Sequence, residues 1–237
     1  MVNVDTVYKT VLYILNKEQR GYITPEEFNR LGTQVQLEIF EQYFEELNQH
    51  LRIPQTDSEY ANRVKNLEEK IDIFKTFGTT TYVGPHFTFP TDLHRLGTLI
   101  YNEKEIQAVN RNEYFLINKS PLVKPTESNP LYILEGTGGP SAAPSQIYVY
   151  PTTITSGIDA YYIKAPTPPV WGYTVDSPSG AYIYDPGAAS TQFELHPSEQ
   201  VNIILNILMY SGVIIRDPQV VQTAAQLVQQ DTVNEKT

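Results

Sequence analysis

The chain has 237 residues, a formal net charge of −10 at neutral pH, 17 tyrosines and no cysteine. That length holds one large domain or two small ones. The missing thiols exclude disulfides, thiolate catalysis and zinc–thiolate sites, and the scarcity of Lys and Arg disfavours tight nucleic-acid binding, which rewards clustered cations.

Residues 4–15 place Val4, Val7, Tyr8, Val11, Leu12 and Leu15 on one helical stripe. The stretch from Asn16 to Glu27 has two readings. In one, Thr24 is an N-cap, Pro25 the first helical residue, and Glu27 closes a capping box onto Thr24. In the other, Asn16, Glu18, Tyr22, Thr24 and Glu27 stand at ligand positions of an EF-hand-like calcium loop with Gly21 at its turn. The capped helix is preferred. Arg20 puts a fixed positive charge where a ligand belongs, and no partner loop of this kind occurs elsewhere in the chain.

The capped helix runs to about Leu51, with Phe28, Leu31, Val35, Ile39, Tyr43 and Leu47 as its stripe. Leu37, Phe40, Phe44 and Leu51 widen that stripe, which predicts burial on more than one side. Phe40, Tyr43 and Phe44 are the expected anchors of a bundle, and Glu38, Glu41 and Glu45 line a solvated flank or a subunit contact. Thr56 and Glu59 repeat the capping-box signature before a helix carrying Tyr60, Val64, Leu67, Ile71 and Phe74, which Gly78 is expected to stop.

From Thr79 to Leu195 the pattern changes to short alternating runs such as HFTFP, LGTLIYN, LYILE, QIYVYP and IDAYYIKAP, broken by Pro and Gly. These read as antiparallel strands. Glu135–Ser145 and Tyr184–Ser190 read as loops. Helical patterning returns at Pro197 with Val201, Ile204, Leu205 and Leu208, and Gly212 is its expected C-terminal cap. Asp217 and Pro218 then open a final helix over 218–230.

The expected fold class is α+β: a helical bundle formed by N-terminal and C-terminal helices with an inserted antiparallel β-domain, divided as 1–78, 79–195 and 196–237. No apolar run approaches the roughly 20 residues that cross a bilayer, and the N-terminus lacks the pattern of a secretory signal. Catalytic chemistry is not expected. No pair among His50, His86, His94 and His196 has helical zinc spacing, Asp92 and His94 follow Pro90 and are expected in a turn, and Gly136, Gly138 and Gly139 lack the Lys of a phosphate loop. Neither a cofactor nor a metal is expected.

Long segments carry a resemblance. NKEQRGYITPEEFNRLGTQVQLEIFEQYFEEL, FTFPTDLHRLGTLIYNEKEIQAVNRNEYFLINKSPLVKPT, YIKAPTPPVWGY and FELHPSEQVNIILNILMYSGVIIRDPQVVQ resemble virion structural proteins of crAss-like, short-tailed phages. The layout is similar to head-to-tail ring or adaptor proteins such as tail tubular protein A. The resemblance implies a homo-oligomeric ring of twelve copies at the portal, made in the host cytoplasm and carried in the virion neck. It implies contacts with the portal protein and neighbouring tail or ring proteins, passive contact with DNA in the channel, and no membrane. On this reading Trp171 and Tyr173, with the Pro-rich flank before them, form an interface arm; an ordinary sheet-edge position is the alternative for Trp171. Asp217, Val220, Val221 and Leu227 belong to a docking helix over 218–232. Two other functions fit the residues: a tail-fibre or glycan-binding module built on the tyrosine-rich strands, and calcium binding at residues 16–27.

Overall fold

The structure, a computed structural model, describes residues 1–17, 21–52, 58–136, 146–187, 189–214, 226–227 and 229–230. Its helices are α1 (Val4–Lys17), α2 (Pro25–Arg52), α3 (Ser58–Asp72), α4 (Arg111–Lys119) and α5 (Gln200–Ile214). Its strands are β1 (Lys75–Thr79), β2 (Thr81–Val83), β3 (His86–Thr88), β4 (Leu93–Tyr101), β5 (Lys104–Glu105), β6 (Gln107–Ala108), β7 (Leu131–Glu135), β8 (Gln146–Tyr150), β9 (Ile158–Lys164), β10 (Tyr173–Val175) and β11 (Tyr182–Tyr184). The class is α+β, with a sheet domain inserted between N-terminal and C-terminal helices.

The chain divides into two units. One is Met1–Ile73 with Pro166–Thr237; the other is Phe74–Ala165. The insertion is therefore shorter than 79–195. Residues 166–195 run as a strap that bonds to the N-terminal residues through a bridge between Val2 and Phe193 and doubles back on itself through a bridge between Val170 and Thr191.

In the helical unit α1 buries Val4, Val7, Tyr8, Val11 and Leu15, as its periodicity requires. α2 buries Phe28, Val35, Ile39, Phe40, Tyr43 and Phe44, so two adjacent faces are covered. Leu37 departs from the expectation: it is 41% exposed, among glutamates. α5 carries no charged residue, and it follows a 3₁₀ turn at Pro197–Glu199 without a break. Apolar residues surround α5, so periodicity cannot choose its inner face. Ile203, Ile207, Leu208 and Ser211 point inward, whereas Val201 is exposed. Gly212 lies inside this helix rather than capping it. Two polar ties set the rotation. Lys70 Nζ on α3 meets Glu199 Oε1 at 2.7 Å, and the Tyr210 hydroxyl donates to Glu38 Oε1 on α2 at 2.6 Å.

The inserted unit holds a four-stranded antiparallel sheet, order β1-β9-β4-β5, and a five-stranded sheet, order β2-β3-β8-β7-β6. Among the described residues only the short β6–β7 pair is parallel. Leu99, Ile158 and Tyr162 of the first sheet share one core with Phe87, Ile147 and Val149 of the second. α4 covers the outer side of the five-stranded sheet through Tyr114 and Ile117, which pack on Val109, Leu131 and Ile133. Gly78 does not end α3; it lies inside β1. There a Cβ would press on Tyr162 at 3.2 Å and Pro90 at 3.3 Å, so the glycine lets two strands and a turn approach.

Candidate functional site

The α1–α2 connection is organised by Thr24 and Glu27. The Thr24 amide and hydroxyl both donate to Glu27 Oε2, at 2.9 and 2.8 Å, and the Glu27 amide donates back to Thr24 Oγ1 at 3.3 Å. This reciprocal capping box satisfies donors at the α2 N-terminus that have no helical partner. The backbone and side-chain bonds from Thr24 hold the Glu27 carboxyl below its ordinary range. Asn16 lies exposed in the last turn of α1, and Tyr22 is exposed. Glu18 lies outside the described residues. Among the described residues no cluster of three or more His, Cys, Asp or Glu could hold a metal ion.

The strap is built around Trp171. Its amide donates to Asn29 Oδ1 at 2.7 Å, its carbonyl accepts from Asn29 Nδ2 at 3.4 Å, and its indole N–H donates to Asp5 Oδ1 at 3.0 Å. Its ring lies 4.3 Å from Tyr8 and stacks on Tyr173 and Tyr184. Only 3% of Trp171 is exposed. Trp171 thus fastens the strap to α1 through its indole and to α2 through its backbone, which leaves little of it exposed for the interface arm expected of it; Tyr173 is half-buried beside it. Burial pushes the neighbouring Tyr8 phenol well above its ordinary range, and that hydroxyl donates to the Ile23 carbonyl at 3.2 Å. A second fastening is Gln36, which is fully enclosed. Its Nε2 donates to the Thr167 carbonyl at 2.7 Å and its Oε1 accepts from the Glu194 amide at 3.0 Å.

Of the docking-helix residues, Asp217, Val220 and Val221 lie outside the described residues. Leu227 is helical and exposed. Neither a protein-family model nor a curated protein matches this chain.

Three outward surfaces were not visible as such in the sequence. On the four-stranded sheet Phe77 and Tyr161 stand opposite each other in register and meet at 5.0 Å between ring centroids, both about half exposed. They border a shallow groove of about 450 Å³ shared with Lys75, Thr76, Thr98 and Ile163. Beside it Gly97 sits at a register shift in β4, where a Cβ would come within 2.8 Å of the Tyr161 carbonyl oxygen. On α2, Gln34, Leu37, Glu38, Glu41, Glu45 and Glu46 line another groove of about 450 Å³. Around α4 and the turn after it, Phe115, Leu116, Leu122 and Val123 project outward, and Leu122 is 97% exposed. The helix beneath them is not among the sequence expectations, although Asn110 and Glu113 have capping-box spacing and the Asn110 amide donates to Glu113 Oε2 at 3.2 Å.

Among the described residues no helix is long and apolar enough to cross a membrane. Asp92 accepts from the Tyr162 hydroxyl at 2.9 Å, and His196 Nδ1 accepts from the Ser198 amide at 3.3 Å, so both serve local structure.

Proposed function

We propose that this chain is a structural virion protein that assembles into a closed ring of twelve copies at the portal–tail junction. In that place it joins head to tail, contacts the portal and the adjoining tail or ring proteins, and lines the channel through which DNA passes. The role is mechanical, not catalytic. The observation that carries the reading is the exposure of grouped large apolar side chains: Phe77 with Tyr161 on the four-stranded sheet, and Phe115, Leu116, Leu122 and Val123 around α4. Grouped exposed apolar residues mark surfaces that meet another molecule, and ring subunits cover such surfaces with one another. The acidic balance of the chain suits a wall along which a polyanion slides without sticking. The resemblance of the long segments quoted above supplies the virion context. Cryo-electron microscopy of intact particles tests it: a closed ring of this chain at the portal vertex is the expected result, and density at a fibre tip or none in the particle overturns it.

A second reading, a glycan-binding module, is favoured by one observation. The tilted Phe77–Tyr161 pair beside Thr76, Thr98 and Lys75 offers an apolar platform with polar neighbours, which suits a sugar ring. A glycan array without hits removes it.

A further inference from the structure

The apolar projection at α4 has a charge pattern of its own. Phe115 and Lys119 are four residues apart on α4, and Leu116 and Lys119 three apart, so they share a face. The turn that follows adds exposed Leu122, Val123 and Lys124. From Tyr114 to Thr126 the sequence YFLINKSPLVKPT has two lysines and no acid; of the flanking acids, Glu113 accepts from the Asn110 amide and Glu127 from the Thr153 hydroxyl. This is an apolar knob rimmed by cations on a chain whose net charge is −10. The α2 groove has the opposite character. From Gln34 to Gln49 the sequence QVQLEIFEQYFEELNQ has four glutamates and no cation, with exposed Leu37 among them. Side-chain amides of the same helix order part of it: Gln34 donates to Glu38 Oε1 at 2.8 Å, and Gln42 to Glu46 Oε1 at 2.7 Å.

Each surface repels a copy of itself, since like charges face each other in any two-fold pairing. Each complements the other in sign, and each has an apolar centre. We infer that the knob formed by Phe115, Leu116, Lys119, Leu122, Val123 and Lys124 docks on the α2 groove of a second copy of this chain. Such a contact joins unlike surfaces, so every copy retains one knob or groove for the next. Repeated contacts of that kind close into rings or run on as filaments. The inference rests on the ring reading above and names the surfaces by which neighbours would meet.

The test is charge exchange on the full chain. One variant carries Lys119→Glu with Lys124→Glu; a second carries Glu41→Lys with Glu45→Lys. Self-association is followed by sedimentation over a range of protein concentrations, with thermal melts to establish folding. The wild type is expected to associate, and each variant alone to associate about tenfold or more weakly. An equimolar mixture of the two is expected to recover, because each knob then finds a groove of opposite sign. Leu122→Ser, at a site too exposed to affect folding, is expected to weaken association without any charge change. Variants that associate like wild type, a mixture that does not recover, or a wild type monomeric at every concentration overturn the contact. A ring in particles together with indifferent variants removes this contact and leaves the ring reading standing. Recovery in the mixture with no ring in particles does the reverse.

Discussion

Trp171 and Gln36 show how single side chains hold a strap with little regular structure of its own. Trp171→Phe removes the indole bond to Asp5, whose other oxygen still accepts from Lys9 at 2.7 Å. The expected cost is about 1–2 kcal/mol. Gln36→Leu is expected to cost about 1–3 kcal/mol, since it leaves the Glu194 amide and the Thr167 carbonyl without their partner. Urea unfolding monitored by far-ultraviolet circular dichroism measures both, since Trp171 is the only tryptophan, and an unchanged midpoint for Gln36→Leu would show that the clamp contributes nothing. Two tyrosines give the alkaline limit. Burial, and then the bond to Asp92, push Tyr162 up to about 12; the bond to Glu38, and then burial, push Tyr210 to about 12. A phenol raised in the folded state stabilises it fully below the unfolded value of about 10. That contribution is lost as pH rises through about 12. Stability measured across that interval is expected to fall, and to fall less in Tyr210→Phe. At the acidic end Glu27 behaves oppositely: its lowered carboxyl contributes above the ordinary carboxylate range, and that contribution is lost as pH drops below it. The Thr24–Glu27 box was legible in the sequence because its partners are three residues apart. Gln36 was not, because its partners lie 131 and 158 residues away, and nothing local marks a glutamine as a clamp.

At the scale of elements, legibility followed amphipathicity. α1 and α2 alternate apolar and polar residues at helical spacing, so both their extents and most of their buried faces could be read. α5 is apolar all round, and its orientation depends on Lys70 and Glu38, which belong to other helices. Most strands of the sheet unit were legible, but β1 reads in the sequence as the end of α3, and α4 was hidden among strand-like runs despite its capping pair. α4 covers the five-stranded sheet and not the four-stranded one, and with α4 hidden the exposure of Phe77 and Tyr161 could not be foreseen. The irregularity in β4 makes a sharp prediction. Gly97→Ala forces a Cβ against the Tyr161 carbonyl at a distance real side chains do not tolerate. It is expected to destabilise the inserted unit by about 1–3 kcal/mol. Hydrogen exchange should show faster opening of β4 and β9 with α1 and α2 unaffected; uniform protection in the variant would mean that the strand yields freely.

For the whole molecule, the α+β class and the insertion of a sheet domain between helices were legible from the change in periodicity at each end. The second boundary was not. Residues 166–195 have strand-like composition, and it is their bonds to Val2, Val4, Asp5, Asn29 and Gln36 that assign them to the helices. The first and last strands of the inserted unit, β1 and β9, are antiparallel neighbours, and the Lys164 amide donates to the Phe74 carbonyl at 2.9 Å. The unit therefore closes on itself at its two chain ends. A fragment of residues 74–165 is expected to unfold cooperatively by circular dichroism, and a fragment without a transition would show that it depends on the remainder.

That closure also orders events during synthesis. The sheet unit can complete itself as soon as Lys164 has left the ribosome. Val2 and Asn29, translated much earlier, must wait for Phe193 and Trp171 before their bonds can form. At about 5–20 residues per second Val2 waits roughly 10–40 s. Throughout that interval the apolar faces of α1 and α2 lack the helix and strap that finally cover them. The nascent N-terminal half is thus the stretch of this chain with most to gain from a chaperone.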